Sequence, residues 1–201
     1  MIRTVIFDLG QVIVPFDLQR GYEALRPHCP YPAEEIPRRI SSTDLVRRFE
    51  CGEVSPESFV EQLSDLLGLR VDYDHFCELW SSIFLPDPLL PESLLAGLHR
   101  RYRLLLLSNT NAIHWAMIRE KYPLLCHFDD YVLSYEVGAL KPSARIYEEA
   151  IARAGCAPGE CFFTDDIPRY VEGAREAGMQ AVVFESAEQL ERELRARGVR
   201  W

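Results

Sequence analysis

Five short, continuous apolar runs constrain the fold of this chain more than any other feature of its sequence. They are the segments 4–7, 104–107, 131–133, 161–163 and 181–184. Runs of this length are typical of strands buried on both faces, as in a parallel sheet. Helical patterns lie between them, including one that begins at Pro91 and one that begins near Ser143. The alternation predicts an α/β fold with a doubly wound parallel sheet.

The stretch from residue 15 to residue 90 interrupts this alternation. It contains no convincing buried strand, but Ser55 and Asp72 each precede an apolar stripe with helical spacing, as helix N-caps do. The sequence therefore predicts a core built from residues 1–14 and 91–201, with an all-helical domain of residues 15–90 inserted after the first strand.

Composition limits the partners of this chain. Of its 201 residues, 48% are hydrophobic and 26% are charged, as in a globular fold with a core. The net charge of −9 argues against a protein that grips nucleic acid through phosphates, and no run approaches the roughly 20 apolar residues of a membrane span. Six scattered cysteines without a CxxC pair are typical of a reducing cytosol. We expect a cytoplasmic protein, monomeric or weakly dimeric, that acts on small molecules.

Polar motifs follow the predicted strands at four places. These are Asp8, Ser108-Asn109, Lys141 and Asp165-Asp166. Because ligands bind at the carboxyl edge of an open parallel sheet, all four motifs are candidates for one site.

Two of the motifs are carboxylates. Asp8 directly follows the first run, where a carboxylate can attack phosphorus and form an aspartyl phosphate; a turn or a helix cap is the common alternative. Asp165 and Asp166 come just after the fourth run. Two adjacent carboxylates are costly without a cation, and hard oxygen ligands suit Mg²⁺. A solvated acidic turn explains the same pair about equally well.

The other two motifs suit an anion. Ser108, Asn109 and the N–H groups of their loop can hold phosphate oxygens, although such residues are also frequent as helix caps. Lysine occurs at positions 121 and 141 alone, and Lys141 could neutralise a transferred phosphoryl group. A solvated surface lysine is the alternative interpretation.

In this order, the four motifs resemble the signature of the haloacid dehalogenase-like superfamily. The resemblance rests on the segments FDLGQVIV, LLLLSNTN, GALKPSARIY and FFTDD, and within the superfamily it is greatest to the bacterial alpha-D-glucose-1-phosphate phosphatase branch. It covers the whole chain, since the helical insertion matches the small helical cap that follows the first motif in that superfamily.

This resemblance implies a Mg²⁺-dependent phosphatase of a small phosphorylated metabolite, such as a hexose 1-phosphate, with an aspartyl-phosphate intermediate. The implied metal ligands are Asp8, the main-chain carbonyl of Gly10, Asp165 and Asp166. Asp8 would also be the nucleophile, Ser108 and Asn109 would bind the phosphoryl oxygens, and Lys141 would offset the charge on Asp8 and on the phosphate.

The chain departs from the superfamily pattern at two places near this site. Phosphatases of the superfamily usually carry a second aspartate, a general acid and base, where this chain has Gly10, and such catalysis contributes ~10²–10⁴-fold. Relatives often carry asparagines where this chain has residues 167–170. In the insertion, Arg47, Arg48 and Glu53 are candidate sugar contacts, although charged helix surfaces are common.

Two alternatives remain open. A 2-haloacid dehalogenase shares the fold and the aspartate nucleophile, needs no metal and also lacks the second aspartate. The Asp165-Asp166 pair argues against it, because unneutralised carboxylates would repel a carboxylate substrate. A degenerate, non-catalytic binding protein is the other alternative, and the presence of Asp8 and Lys141 argues against it.

Overall fold

The computed structural model describes all 201 residues, from Met1 to Trp201. Its strands are β1 (Thr4–Phe7), β2 (Arg103–Ser108), β3 (Asp130–Leu133), β4 (Cys161–Asp165) and β5 (Gln180–Val183). Its helices are α1 (Leu18–Leu25), α2 (Ile36–Ser41), α3 (Leu45–Glu50), α4 (Pro56–Leu67), α5 (Tyr73–Ser81), α6 (Glu92–His99), α7 (Ala112–Lys121), α8 (Ser134–Val137), α9 (Ala144–Ala154), α10 (Pro168–Glu176) and α11 (Ala187–Ala196). None of these helices combines the length and the apolar character needed to cross a bilayer.

The five strands form one parallel sheet in the order β3-β2-β1-β4-β5, which confirms the predicted fold class. Both faces of the sheet are buried. Alternate residues of β1 belong to different hydrophobic clusters, with Val5 and Phe7 on one face and Ile6 on the other. Helices α6, α7 and α11 cover the first face, and α9 and α10 cover the second. This double burial explains why each strand reads as a continuous apolar run.

Helices α1 to α5, which we call the helical insertion, have a hydrophobic cluster of their own. Phe49, Phe59 and Phe76 lie at its centre, fully or almost fully buried. The predicted N-caps Ser55 and Asp72 accept hydrogen bonds from Ser58 N and His75 N, at 3.2 and 2.9 Å.

The two chain segments that enter and leave the insertion run beside each other. Asp17 N donates to Ile83 O at 2.8 Å, Leu85 N donates to Pro15 O at 2.9 Å, and Phe16 and Phe84 form an antiparallel bridge. This pairing ties the base of the insertion to the carboxyl end of β1.

Helix α7 packs on both the sheet and the insertion. Ile113 belongs to the cluster of the insertion, whereas Trp115 and Ile118 belong to the first cluster of the sheet. The imidazole of His114 adds a polar link, because its Nε2 lies 3.1 Å from the carbonyl oxygen of Trp80 in α5. Since α7 buries residues on more than one side, it lacks the single apolar stripe by which surface helices are recognised.

Candidate active site

The central strand β1 delivers Asp8 to the carboxyl edge of the sheet, between the ends of β2 and β4. The main-chain N–H of Asp8 donates to Thr164 O at 2.9 Å, which holds this residue against β4. One carboxylate oxygen each from Asp8, Asp165 and Asp166 lies within 4.8 Å of the others. The fold therefore brings Asp8 together with an acidic pair that lies more than 150 residues away in the sequence.

The ammonium group of Lys141 lies between two of these carboxylates. Its Nζ is 2.7 Å from Asp8 Oδ1 and 2.6 Å from Asp165 Oδ2, and it also donates to the carbonyl of Leu107 at 3.1 Å. An ammonium group has three N–H donors, and these three acceptors use them all. The lysine side chain is 1% exposed, so water screens these ion pairs little.

Burial and charge have opposite effects on this group of residues. Burial raises the pKa of Asp8 to about 7, even though Lys141 lowers it. Burial alone would lower the pKa of Lys141, but the neighbouring Asp8 and Asp165 outweigh it, and the net shift is upward. Burial and the charge of Asp165 also raise the pKa of Asp166. Asp8 and Asp166 thus lie where their charged forms are only partly compensated.

This imbalance is the reason that a divalent cation suits the site. Three carboxylates around one ammonium leave two negative charges unmatched, and carboxylate oxygens are the ligands that Mg²⁺ prefers. Both oxygens of Asp165 already accept hydrogen bonds, from Lys141 Nζ at 2.6 Å and from Ile167 N at 2.9 Å. The half-buried Asp166 has no such partner, so Asp8 and Asp166 offer the freer oxygens for a cation.

Asn109 lies at this edge, and its side chain binds the main chain of Lys141. Its Oδ1 accepts from Lys141 N at 2.8 Å, and its Nδ2 donates to Lys141 O at 3.2 Å. The same Nδ2 lies 3.4 Å from the hydroxyl of Tyr170, whose ring faces the lysine ammonium at 5.2 Å. The amide predicted to bind phosphate therefore positions Lys141, which leaves the main-chain N–H of Asn109 for a phosphoryl oxygen.

The structure shows what accompanies each departure from the superfamily pattern, at Gly10 and in the segment 167–170. A Cβ atom at Gly10 would lie 2.8 Å from Cε1 of Phe16, so the phenyl ring fills the space that a side chain at position 10 needs. Tyr170 stands among residues 167–170 and reaches Asn109 with its hydroxyl. The hydrogen bond from Asn109 to Tyr170 carries no sequence signal.

An inner cavity of about 310 Å³ opens between the sheet edge and the helical insertion, and its lining residues do not include Asp8, Lys141, Asp165 or Asp166. Its core-side wall includes Gly10, Ser108, Asn109 and Thr110. Its other wall is mostly apolar and comes from α1, α2, α3, α5 and the segment before α6. A larger groove of about 890 Å³ lies along α5 and α7, but none of the predicted site residues lines it.

The insertion residues predicted as sugar contacts do not line this cavity. Arg47 and Arg48 pair with Glu53 at 3.5 and 3.6 Å, and the three side chains are 53%, 39% and 47% exposed. The acidic residue of α3 that does face the cavity is Glu50, on the same helix. Sequence reasoning missed it, because a glutamate after Phe49 fits the polar face of a helix.

Comparisons with known proteins agree with this geometry. A family model described as haloacid dehalogenase-like hydrolase matches residues 2–178. The chain is 28% identical to a D-ribitol-5-phosphate phosphatase of Bacteroides thetaiotaomicron, over 96% of this chain and 97% of that protein. It is 32% identical to a phosphatase of Mycobacterium tuberculosis, over 94% and 89% of the two chains.

A solved structure resembles this protein over nearly the whole chain. It is a HAD family enzyme of Bacteroides thetaiotaomicron in complex with magnesium and inorganic phosphate, with a TM-score of 0.84 and 26% identity, covering 92% of this chain and 96% of that one. From the family match, the similarity along the whole chain and the acidic group beside β1, we conclude that this chain belongs to the haloacid dehalogenase-like hydrolase family.

Proposed function

We propose that this protein is a Mg²⁺-dependent phosphatase that hydrolyses a small sugar or sugar-alcohol phosphate through a phosphorylated Asp8. The observation that carries the proposal is the convergence of three carboxylates at the carboxyl edge of the sheet, two of them paired with a buried lysine. A dense acidic site of this kind has little affinity for an anionic ester unless a divalent cation joins it. Both the family and the magnesium and phosphate complex of the similar enzyme support this interpretation.

Each residue of the site has a chemical task in this scheme. A carboxylate oxygen of Asp8 attacks the phosphorus atom, the bond from phosphorus to the ester oxygen breaks, and the leaving oxygen takes a proton from a water molecule to depart as the alcohol. Water then attacks the phosphorus of the aspartyl phosphate and releases inorganic phosphate. Lys141 counters the negative charge on Asp8 and on the phosphoryl group in both steps. Ser108 and the N–H groups of its loop orient the phosphoryl oxygens.

The residues present fit a bound Mg²⁺ ion. Asp8 and Asp166 would hold it, Asp165 would support it from beside Lys141, and the carbonyl of Gly10 is the predicted main-chain ligand. When bound, the ion supplies charge that favours phosphate binding and the ionised form of Asp8. The pKa of about 7 that burial gives Asp8 without a cation makes this second effect important near neutral pH.

The substrate class rests on the sequence resemblance and on relatives. The motifs favour a hexose 1-phosphate, and the ribitol-5-phosphate phosphatase favours a pentitol phosphate. Both substrates have one phosphate and a hydroxylated leaving group. A cavity of about 310 Å³ is at the small end of the ~300–1,000 Å³ range of ligand pockets, which favours such compact substrates.

The proposal is tested by phosphate release from hexose 1-phosphates, pentitol phosphates, nucleotides and phosphorylated three-carbon acids, with Mg²⁺ and with a chelator. We expect release that requires Mg²⁺ and is fastest on a sugar or sugar-alcohol phosphate. Metal-independent halide release from chloroacetate, with no phosphate release, would instead favour the dehalogenase. Tight phosphate binding with no turnover of any ester would favour a binding protein.

A further inference from the structure

The charges of the residues that line the inner cavity restrict which alcohol can be the leaving group. No lysine or arginine is among its eighteen lining residues, of which eleven are hydrophobic. Its histidine, His114, is neutral near pH 7, because burial lowers its pKa to about 4. The ring nitrogens of His114 are also engaged, with Trp80 O and Asn111 Nδ2, both at 3.1 Å. An anionic group entering this cavity would find no cation.

Glu50 is the one acidic residue in the cavity wall, and its carboxyl group has no partner. It is half-buried at the end of α3, and it forms neither a hydrogen bond nor an ion pair with any other side chain. The arginines of the same helix are not available to it, since Arg47 and Arg48 pair with Glu53 on the exposed face. A buried carboxyl group without a partner costs stability, so an apolar residue would suit the fold better here.

We infer that Glu50 is the residue that selects the leaving group, accepting hydrogen bonds from a neutral, hydroxyl-bearing molecule and rejecting one that carries a second acid. The inference rests on the proposed function and adds to it a position for the leaving group. The wall opposite Ser108 and Asn109 is where the alcohol portion of a bound ester must lie, because those two residues are at the phosphoryl end.

The surroundings of Glu50 suit a sugar or polyol in two further respects. Phe16, Tyr22 and Phe84 line the same cavity and give it an apolar aromatic surface that suits the C–H groups of such a molecule. Burial raises the pKa of Glu50 to about 7. Near neutral pH its carboxyl group is therefore partly protonated and can donate as well as accept hydrogen bonds, which matches the two-way hydrogen bonding of hydroxyl groups.

The experiment compares two three-carbon esters that differ in one group. Glycerol 3-phosphate carries a terminal hydroxyl where 3-phosphoglycerate carries a carboxylate. The ratio of kcat/KM for these two esters is measured with Mg²⁺ for the full chain, for Glu50→Gln and for Glu50→Lys. Glu53→Gln is the matched control, since Glu53 lies three residues away and points to solvent.

At a pH well above the pKa of about 7 of Glu50, where its carboxyl group is ionised, we expect the unmodified protein to prefer the neutral ester by roughly tenfold, because like charges are strongly disfavoured in an enclosed site. Glu50→Gln should reduce the preference by roughly tenfold, mainly through KM. Glu50→Lys should shift it further towards the acid, and Glu53→Gln should leave it unchanged. Thermal unfolding of each variant checks that it is folded.

Two contrary outcomes are distinguishable. If the unmodified protein hydrolyses both esters and the ratio is the same in Glu50→Gln and Glu53→Gln, the inference about Glu50 is wrong and the phosphatase stands. If the unmodified, folded protein releases no phosphate from any ester, the proposed function fails, and the inference fails with it.

Discussion

The two walls of the active-site cleft are built on opposite principles. On the core wall each N–H donor of the Lys141 ammonium group has an acceptor, from Asp8, Asp165 and the carbonyl of Leu107, at distances between 2.6 and 3.1 Å. On the wall formed by the helical insertion, Glu50 has no partner in a mostly apolar surface. The ammonium group on the first wall is fully paired before any substrate arrives, whereas the carboxyl group of Glu50 on the second wall gains a partner only from a ligand.

This difference suggests that the core wall carries out the reaction and that the insertion wall selects the substrate. A preorganised charged group stabilises developing charge without reorganisation, which suits a reaction that is the same for every ester. An unsatisfied group in an apolar wall discriminates, because a ligand that leaves it unpaired or repels it is disfavoured. Changes on the core wall should therefore alter rates for all substrates alike, and changes on the insertion wall should alter the choice between them.

The largest expected effect comes from removing the nucleophile on the core wall. Asp8→Asn should lower phosphate release by about 10⁶-fold on every ester, the order of loss seen when other hydrolases lose a covalent nucleophile. Asp17→Asn is the control, because Asp17 caps α1 on the surface and asparagine caps equally well. Residual activity of Asp8→Asn that differs between substrates would contradict the idea that the core wall acts alike on every ester.

Lys141→Met tests how much the core wall depends on its central charge. Without the ammonium group, Asp8 and Asp165 remain buried and uncompensated, and breaking such a pair typically costs about 3–5 kcal/mol of unfolding free energy. Turnover should fall by about 10²–10³-fold. Urea unfolding and phosphate release measure the two effects, with Lys121→Met on the exposed end of α7 as the control. Equal stability of the two variants would mean that the ion pairs contribute little.

Gly10→Asp tests the close contact between position 10 on the core wall and Phe16, which precedes the helical insertion. The new Cβ would lie 2.8 Å from the ring of Phe16, and overpacking of this kind costs about 1–3 kcal/mol. Phe16→Ala in the same chain should recover part of that loss, which a double-mutant cycle measures as a coupling energy. Gly159→Asp is the control, because a Cβ there has no neighbour within 4 Å. Additive effects at positions 10 and 16 would contradict the steric argument.

The smallest expected effect is a pH-dependent gain in stability on the insertion wall. The pKa of Glu50 is raised from 4.5 to about 7 by burial, so between these values the folded state holds a proton that the unfolded state has released. The free energy of unfolding therefore falls as pH rises through this window. Glu50→Gln removes that loss. The melting temperature of this variant minus that of the unmodified protein should therefore rise from pH 4.5 to 7 and then level off. A difference independent of pH would mean that Glu50 titrates normally.

The parallel sheet and the residues of the core wall were predictable for a local reason. A strand buried on both faces must be apolar throughout, so the strands are visible as runs, and their bounds differ from the predicted ones by at most two residues at either end. Asp8, Ser108 and Asp165 stand at or just beyond the ends of adjacent strands, and such positions meet at one edge of any parallel sheet. Helix α7 was not predicted, because two hydrophobic clusters share its surface and it therefore has no single apolar stripe.

The sequence by itself determined the fold class, the family motifs and the identity of the carboxylates at the sheet edge. Only the tertiary structure decided that Lys141 bridges Asp8 and Asp165, that Asn109 holds the main chain of that lysine, and that Glu50 rather than Arg47 faces the cavity. Apolar periodicity records which residues are buried, which is a local property of each segment. Distant segments decide, by the way they pack together, which partner a buried charge has. They also decide which wall a charged side chain on a helix faces.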